Sequence, residues 1–466
     1  MTRAVSVCST VCFAQPAIPD TAAGRVLAAW LSAHNSGDRA QVEAFGKSYR
    51  YTIPGIESFP VDATLDLRRI SGGFTVLRIE QSEPLSITAL LAENDSDMIA
   101  RGMFTLSADD PRNVVGATLR VIPRPTDLAL PRLTEGEALN ALSKRADVLA
   151  AEDKLSGAML IARHGTIIFE KSWGLADRER KTPVTPQTCF RLGSANKMFT
   201  AIAVLQLVNE GKLALDGTIG RYLPDYPNAE MARKVTVRHL LNHTGGAGDI
   251  FGPEFTARRT SLKTHADYLQ LYGARAPEFE PGTKAVYSNY GMLLLGALIE
   301  KVSGASYYDY VREHIFRRAG MGDTDSLPED QDVPNRAIGY TWQGNGWSLN
   351  TNTLPYRGTA AGGGYSTVRD LLRFADALET GTLLPKALLL KATTPQNQEG
   401  WYGFGFGLGG EGVLRSYGHR GGAPGMNADF RVYPELGVVV VGLSNLDVPA
   451  ATRVVEFYAV RMPVTQ

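Results

Sequence analysis

The stretch FRLGSANKMFTAIAVLQLVNEG, residues 190–211, decides the fold. Met198, Ile202 and Leu205, flanked by Ala201 and Val208, recur at helical spacing and predict one buried face. Gly211 stands where a left-handed C-cap would end the helix. Ser194 therefore lies at or near the helix N-terminus, and Lys197 stands one turn on, along the same side. A lysine aimed at the buried entrance of a helix is an odd structural choice. It makes sense if the Ser194 hydroxyl must lose a proton.

A serine hydroxyl is a weak nucleophile until a base takes its proton. Ser-x-x-Lys on a helix puts an amine within hydrogen-bond reach of that oxygen. The helix N-terminus adds a positive field and a backbone N–H for a developing oxyanion. The pair alone is unspecific, since about one Ser-x-x-Lys arises by chance in a chain this long.

Two further motifs supply partners. In FEPGTKAVYSNYGMLLLGALIEKVSG, Tyr287-Ser288-Asn289 follows a Pro-Gly loop and opens an apolar helix that ends near Gly304. Tyr287 suits a general base or proton shuttle, provided neighbouring positive charge lowers its pKa. Asn289 suits a residue that holds Lys197 and a substrate amide. The alternative reading is a core tyrosine and an Asn helix cap. In YGHRGGAPGMNADF, His419 is followed by glycines at the start of a strand, which lets a substrate backbone come close. The Gly422 N–H would complete an oxyanion hole with the Ser194 N–H. Its alternative is a glycine-rich turn before a hairpin.

Taken in order with their flanks, FRLGSANKMFTA, LLNHTGG, YSN, GGGYSTVRDLLRF and GHRGG are similar to the serine β-lactamase and penicillin-binding-protein superfamily. The resemblance runs from about residue 135 to the C-terminus. It is nearest the class C β-lactamase-like branch, with its family VIII carboxylesterases, DD-peptidases and D-aminopeptidases. It implies Ser194 as nucleophile, Lys197 as activating partner and Tyr287 as base and proton shuttle. It implies Asn289 as substrate-positioning residue and His419, Gly421 and Gly422 as the third wall. One departure stands out. True β-lactamases of this branch carry Lys-Thr-Gly where this chain reads His419-Arg420-Gly421, a pattern of esterases and some peptidases. Lactam hydrolysis is then at best a side activity. Strand alternation points Arg420 away from the face His419 uses, towards solvent.

The expected architecture is α+β: an antiparallel sheet flanked by helices, with an all-helical region, preceded by a small α+β domain. The sheet is completed by both ends of this region. GAMLIARHGTIIFEKSWG forms a hairpin around His164-Gly165, and NADFRVYP with GVVVVGLSN forms another before a final helix near Pro449. Thr134 with Glu137 makes a capping box, and Thr367 with Asp370 caps a later helix. Upstream, AGRVLAAWLSAHNSGDRAQVEAF reads as two helices broken at Asn35-Ser36-Gly37-Asp38, followed by four alternating strand-like runs. Its W-L-x-A-x-N-S-G-D run resembles the opening of SnoaL-like and nuclear-transport-factor-like cone domains, which implies an accessory or packing role. The boundaries are 1–19 for a signal peptide or flexible start, 20–125 for the cone-like domain, 126–133 for a linker and 134–466 for the hydrolase domain.

Composition narrows the function classes. Lys plus Arg and Asp plus Glu balance at 48 each, so no strongly charged face is implied for nucleic acid. Runs such as MLLLGALI are too short to span a bilayer. The first residues, MTRAVSVCSTVCFAQPA, carry a weak leader pattern that points to a periplasmic or secreted protein, with a cytoplasmic one as alternative. Val precedes both Cys8 and Cys12, against a lipoprotein signal. His239 and His243 lack the glutamate of His-Glu-x-x-His and read as a helix end and turn, so no metal is expected. Cys189 reads as a small buried hydrophobe.

The expected activity is hydrolysis through an acyl-enzyme without a cofactor, on a small-molecule ester or amide. A small carboxylic ester is favoured over a D-amino-acid or peptidoglycan-type amide. A non-catalytic binding protein on the same fold is the alternative of another class. Whether Lys197 or Tyr287 acts first is open, since their protonation is coupled. Oligomeric state is not legible.

Overall fold

The structure is a computed structural model that describes residues 16–56 and 58–464. The leader pattern with Cys8 and Cys12 lies outside the described residues. The chain forms two compact units, Met1–Pro131 and Arg132–Gln466. Among the described residues no helix is long and apolar enough to cross a membrane.

In the first unit, Thr21 caps helix α1 (Ala22–Ser36) by accepting the Gly24 N–H, and Gly37 ends it in the left-handed region. Asp38 then caps α2 (Arg39–Ser48) through the Gln41 N–H. The Asn-Ser-Gly-Asp cluster is thus a stop and a start. Asn35 does more than turn the chain: its amide donates to the Phe74 carbonyl and accepts the Phe74 N–H, both at 2.8 Å. That bond pair ties the end of α1 to the first long strand. A short strand β1 (Arg50–Tyr51) and helix α3 (Val61–Ser71), which the pattern reading passed over, precede it.

Strands β2 (Phe74–Ser82), β3 (Ser86–Glu93), β4 (Ile99–Leu106) and β5 (Asn113–Ile122) form an antiparallel meander. β1 joins its edge parallel to β5. Trp30, Phe45, Phe74, Leu91, Phe104 and Val114 are buried together between helices and sheet.

The second unit opens with helix α4 (Glu135–Ala151), started by the expected Thr134–Glu137 capping box. The hairpin β6 (Gly157–Arg163) and β7 (Thr166–Trp173) follows. Its turn is closed by His164 and Gly165, with φ of 48° and 75°. Helix α5 (Lys197–Asn209), helix α6 (Asn289–Ser303) and helix α7 (Val368–Glu379) belong to the long central region. Strands β8 (Gly407–Gly409), β9 (Ser416–Ala423), β10 (Met426–Tyr433) and β11 (Val438–Ser444) then precede helix α8 (Ala450–Ala459). The sheet order is β8-β9-β10-β11-β6-β7, antiparallel throughout. β11 lies beside β6 with Val440 opposite Ile161, so both ends of the unit do complete one sheet.

Alternation along these strands divides two cores. Met159, Ile161, Val438 and Val440 face α4 and α8, with Leu142, Leu149, Val454 and Tyr458. Leu160, Ala162, Val439 and Val441 face the opposite side, against α7, in the core that also holds α5 and α6. The expectation of a single apolar stripe on α5 needs correction, because every residue from Lys197 to Leu207 is buried. Phe199 meets Phe316 and Phe374 edge-on at 5.1 and 4.9 Å, on a face the stripe left out. α5 is a central helix, walled on all sides.

Candidate active site

The site is built around a backbone crossing. The strand Phe190–Arg191 delivers the chain into a turn, Gly193–Asn196, that feeds α5, which puts Ser194 at the helix entrance. Gly193 has φ +53°, and a Cβ there would lie 2.8 Å from the Gly422 nitrogen. A Cβ on Gly421 would lie 1.7 Å from the Leu192 carbonyl oxygen and 3.0 Å from the Ser194 nitrogen. On a third side Gly363 donates its N–H to the Gly193 carbonyl at 3.1 Å. Three backbone segments therefore meet at Ser194 with no side chain between them, as a cradle of N–H groups for an oxyanion requires.

Lys197 points into this cradle from the first turn of α5 and is fully buried. Its Nζ lies 3.0 Å from Ser194 Oγ and donates to Asn289 Oδ1 at 2.7 Å and to the Ala361 carbonyl. Burial brings its pKa down to about 7, against a partial upward pull from Asp249. An amine that sheds its proton near neutrality, in contact with a serine hydroxyl, is equipped to act as a base.

Tyr287 lies beside the serine, close enough for Ser194 to pull its pKa down in part. The Lys197 amine lies 4.7 Å from the Tyr287 ring centroid. Positive charge was expected to lower the Tyr287 pKa, and here the outcome is reversed. Burial raises it above the ordinary phenol value, and Ser194 only partly offsets this. A charge that itself fades near neutrality gives little pull on the phenol. Tyr287 keeps its proton.

Asn289 begins α6, but the cap is Ser288, whose Oγ accepts the Gly291 N–H at 2.9 Å. The Asn289 oxygen meets Lys197 as expected. Its NH2 group, expected to face a substrate amide, instead donates to both carboxylate oxygens of Asp249 at 2.9 and 3.1 Å. Asp249 belongs to the segment GAGDIFGPEF, which joins the short helix Val237–Leu241 to the next helical turn.

The third wall is β9. His419 Nε2 lies 2.9 Å from the Tyr402 hydroxyl, while Nδ1 faces the Arg420 carbonyl at 2.5 Å. A carbonyl only accepts, so Nδ1 carries the hydrogen and Tyr402 donates to Nε2. Burial, then Lys197, brings the His419 pKa down to about 3, so the ring is neutral. Arg420 points off the opposite face, towards Asp429 at 3.1 Å and Glu456 at 3.5 Å.

His243 and His239 part company. His243 is buried under Tyr287, with ring centroids 4.4 Å apart, and accepts the Ser288 N–H through Nδ1. His239 completes the capping box of the short helix Val237–Leu241. Cys189 is buried, with its thiol pKa raised to about 12 by burial and then by Asp323.

The structure thus brings Ser194, Lys197, Tyr287, Asn289, His419, Gly421 and Gly422 to one place. It adds Asp249, His243, Tyr402 and the Ala361 carbonyl, which sequence reasoning missed. Of these, His243 stood in the LLNHTGG motif but was read as a turn, and Tyr402 lies in the aromatic-glycine run WYGFGFGLG. Val286, Phe251 and Val448 are exposed apolar side chains on segments bordering the site. Together the groups can activate a hydroxyl, hold an oxyanion and return a proton.

Comparison with known proteins fits this geometry. The family model described as Beta-lactamase matches residues 144–462. Penicillin-binding protein 4* of Bacillus subtilis (strain 168) is 30% identical over 319 residues, spanning 64% of this chain and 70% of that protein. Esterase EstB of Burkholderia gladioli is 33% identical over 213 residues, which cover 43% of this chain and 53% of the esterase. Among solved structures, a penicillin binding protein from Bacillus halodurans superposes with a TM-score of 0.62 at 31% identity. That match covers 67% of this chain and 98% of the other.

Proposed function

The chain belongs to the beta-lactamase family of serine hydrolases, and from that premise we propose that it is a carboxylesterase acting on small esters through an acyl-enzyme. One observation carries the choice of ester: the third wall is a neutral pair, His419 held by Tyr402, with Arg420 turned to the far face. That wall offers no cation to anchor the carboxylate of a β-lactam or of a peptide C-terminus. The exposed apolar residues Val286, Phe251 and Val448 at its borders suit an uncharged acyl or alkyl group. The similarity to esterase EstB supports the same reading.

In this mechanism the substrate carbonyl oxygen enters between the Ser194 and Gly422 N–H groups. Ser194 Oγ attacks as its proton passes to neutral Lys197. The Tyr287 phenol protonates the leaving alkoxide and is refilled from Lys197. Water then attacks the acyl-enzyme, giving a proton to Lys197, which returns it to Ser194 Oγ as the ester bond to the serine breaks and the acid leaves. Asn289 holds Lys197 rather than the substrate.

A second reading, an amidase for amino-acyl substrates, draws on the Asp249 carboxylate, which is exposed beside Asn289 and would attract an ammonium group. The residue pattern supports placement in the class C-like branch. The helices and five-stranded sheet of the first unit support a cone-like accessory domain. The leader pattern supports a periplasmic or secreted location.

The test is turnover of p-nitrophenyl butyrate beside a chromogenic cephalosporin, with wild type and Ser194→Ala. Ester turnover that disappears in the variant, with slow cephalosporin cleavage, is expected. Rapid cephalosporin cleavage would reverse the choice of substrate. Folded protein inert to both, and to a fluorophosphonate, would move the reading to a binding protein.

A further inference from the structure

Lys197 has three polar neighbours and, when neutral, two N–H groups and one lone pair. The Ala361 carbonyl can only accept, which takes one N–H. The Ser194 hydroxyl can give or receive. The third neighbour therefore decides which way the lone pair points, and that neighbour is an amide with two unlike ends.

If Asn289 presents its oxygen, the second N–H of Lys197 goes there and the lone pair is left for the Ser194 proton. If Asn289 presents its NH2 group, the lone pair is consumed and Lys197 can only donate to the serine. The first arrangement is a base. The second is not.

We propose that Asp249 is a positioning residue for the hydrolase read above: by accepting an N–H of Asn289 with both carboxylate oxygens it locks the amide oxygen onto Lys197 and leaves the amine's lone pair to face Ser194. An ionised carboxylate cannot donate, so only one orientation of the amide satisfies it. Asp249 is itself fixed, since its Oδ1 accepts the Ile250 N–H at 2.6 Å and its carbonyl accepts from Arg275 at 2.8 Å. Asn289 is buried, so no bulk water competes for the amide.

The charge of Asp249 acts alongside its geometry. The groups set about Lys197 are Ser194 and Asn289 by contact, and the Tyr287 ring against the amine. His243 and His419 are neutral through burial, and Asp249 is the anion that favours the ammonium. Removing that anion lowers the pH at which Lys197 sheds its proton. Asp249→Asn should therefore slow the reaction and move its acid limb at the same time, which a purely structural contact would not do.

The experiment follows fluorophosphonate labelling of Ser194 and p-nitrophenyl butyrate kinetics from pH 5 to 9, with melting curves for every variant. For Asp249→Asn and Asp249→Ser we expect labelling and kcat to fall by about tenfold or more, with KM nearly unchanged. The acid limb should move down by roughly one pH unit. In an Asn289→Ala background the Asp249 substitutions should add little further loss of rate, because the effect runs through the amide. Wild-type rates and limb in both Asp249 variants would overturn the proposal, as would a change in KM alone. Full loss of rate on top of Asn289→Ala would overturn it too. A folded wild type that neither labels nor turns over would bring down the hydrolase reading itself, and this inference with it.

Discussion

The Lys197 amine lies over the face of the Tyr287 ring, 4.7 Å from its centroid. The negative face of the ring favours the ammonium that forms once Lys197 has taken the serine proton. The phenol itself stays protonated, because burial raises its pKa. In the proposed mechanism one side chain is therefore a base that becomes charged, and the other a neutral acid beside it.

Ester turnover should follow that division. With the Lys197 pKa brought to about 7, kcat/KM should rise with pH through a single limb near neutrality and then level. A pH–rate series with p-nitrophenyl butyrate reads it. A limb near 10 instead would mean that burial does not shift Lys197 and that it titrates as an ordinary lysine.

Folding stability should carry the same signature. Lys197 titrates lower in the folded chain than in the unfolded one, so between about pH 7 and 10 the unfolded state holds the extra proton. Lys197 therefore makes stability rise with pH across that window. Melting curves of wild type and Lys197→Met should show the wild type gaining relative to the variant from pH 7 to 9. Parallel curves would mean an ordinary lysine.

Ser194→Ala and Lys197→Met should each lower ester turnover by at least about a thousandfold, and the double variant should lose little more, because nucleophile and base act as a unit. Single-turnover kinetics with equal enzyme and ester measures all three.

The two glycines of the third wall should answer differently. A Cβ on Gly421 would strike the Leu192 carbonyl, a backbone atom that cannot yield, so Gly421→Ala should destabilise the second unit by on the order of 4 kcal/mol. A Cβ on Gly422 would meet only the Val448 Cγ2 at 2.3 Å, and that side chain can turn away. Gly422→Ala should fold, with altered activity. Thermal melts with kinetics separate the two.

Tyr402→Phe would leave the buried Nε2 of His419 without its donor. The expected cost is about 1–3 kcal/mol of stability, read from denaturant melts at pH 7. A variant as stable as wild type would mean that the pair contributes little.

How much of this was legible follows from how far each contact reaches along the chain. Ser194 and Lys197 could be paired from sequence because one helical turn brings them together whatever surrounds them. The His164-Gly165 hairpin and the Thr134–Glu137 box are equally local, and both formed as read. Asp249 could not be found, since its partner Asn289 lies forty residues away through an irregular loop. The Asp249 contact of Asn289 and the proton on Tyr287 escaped the pattern for a related reason. Each depends on which groups tertiary packing buries beside it. The stripe on α5 was drawn from helical spacing alone, while Phe199, Val204 and Leu207 on the other faces are buried too.

The sheet order has a consequence for how the protein is made. Ser194 and Lys197 leave the ribosome long before the strand Ser416–Ala423 that walls them, and that strand takes its place only when β10 and β11 have carried the chain back to β6. Such distant pairing is slow to form and waits for the last segment of the chain. A nascent or C-terminally clipped chain would carry its nucleophile with no oxyanion cradle. On the mechanism proposed above, the wall beside Ser194 is assembled only with the last strands of this sheet.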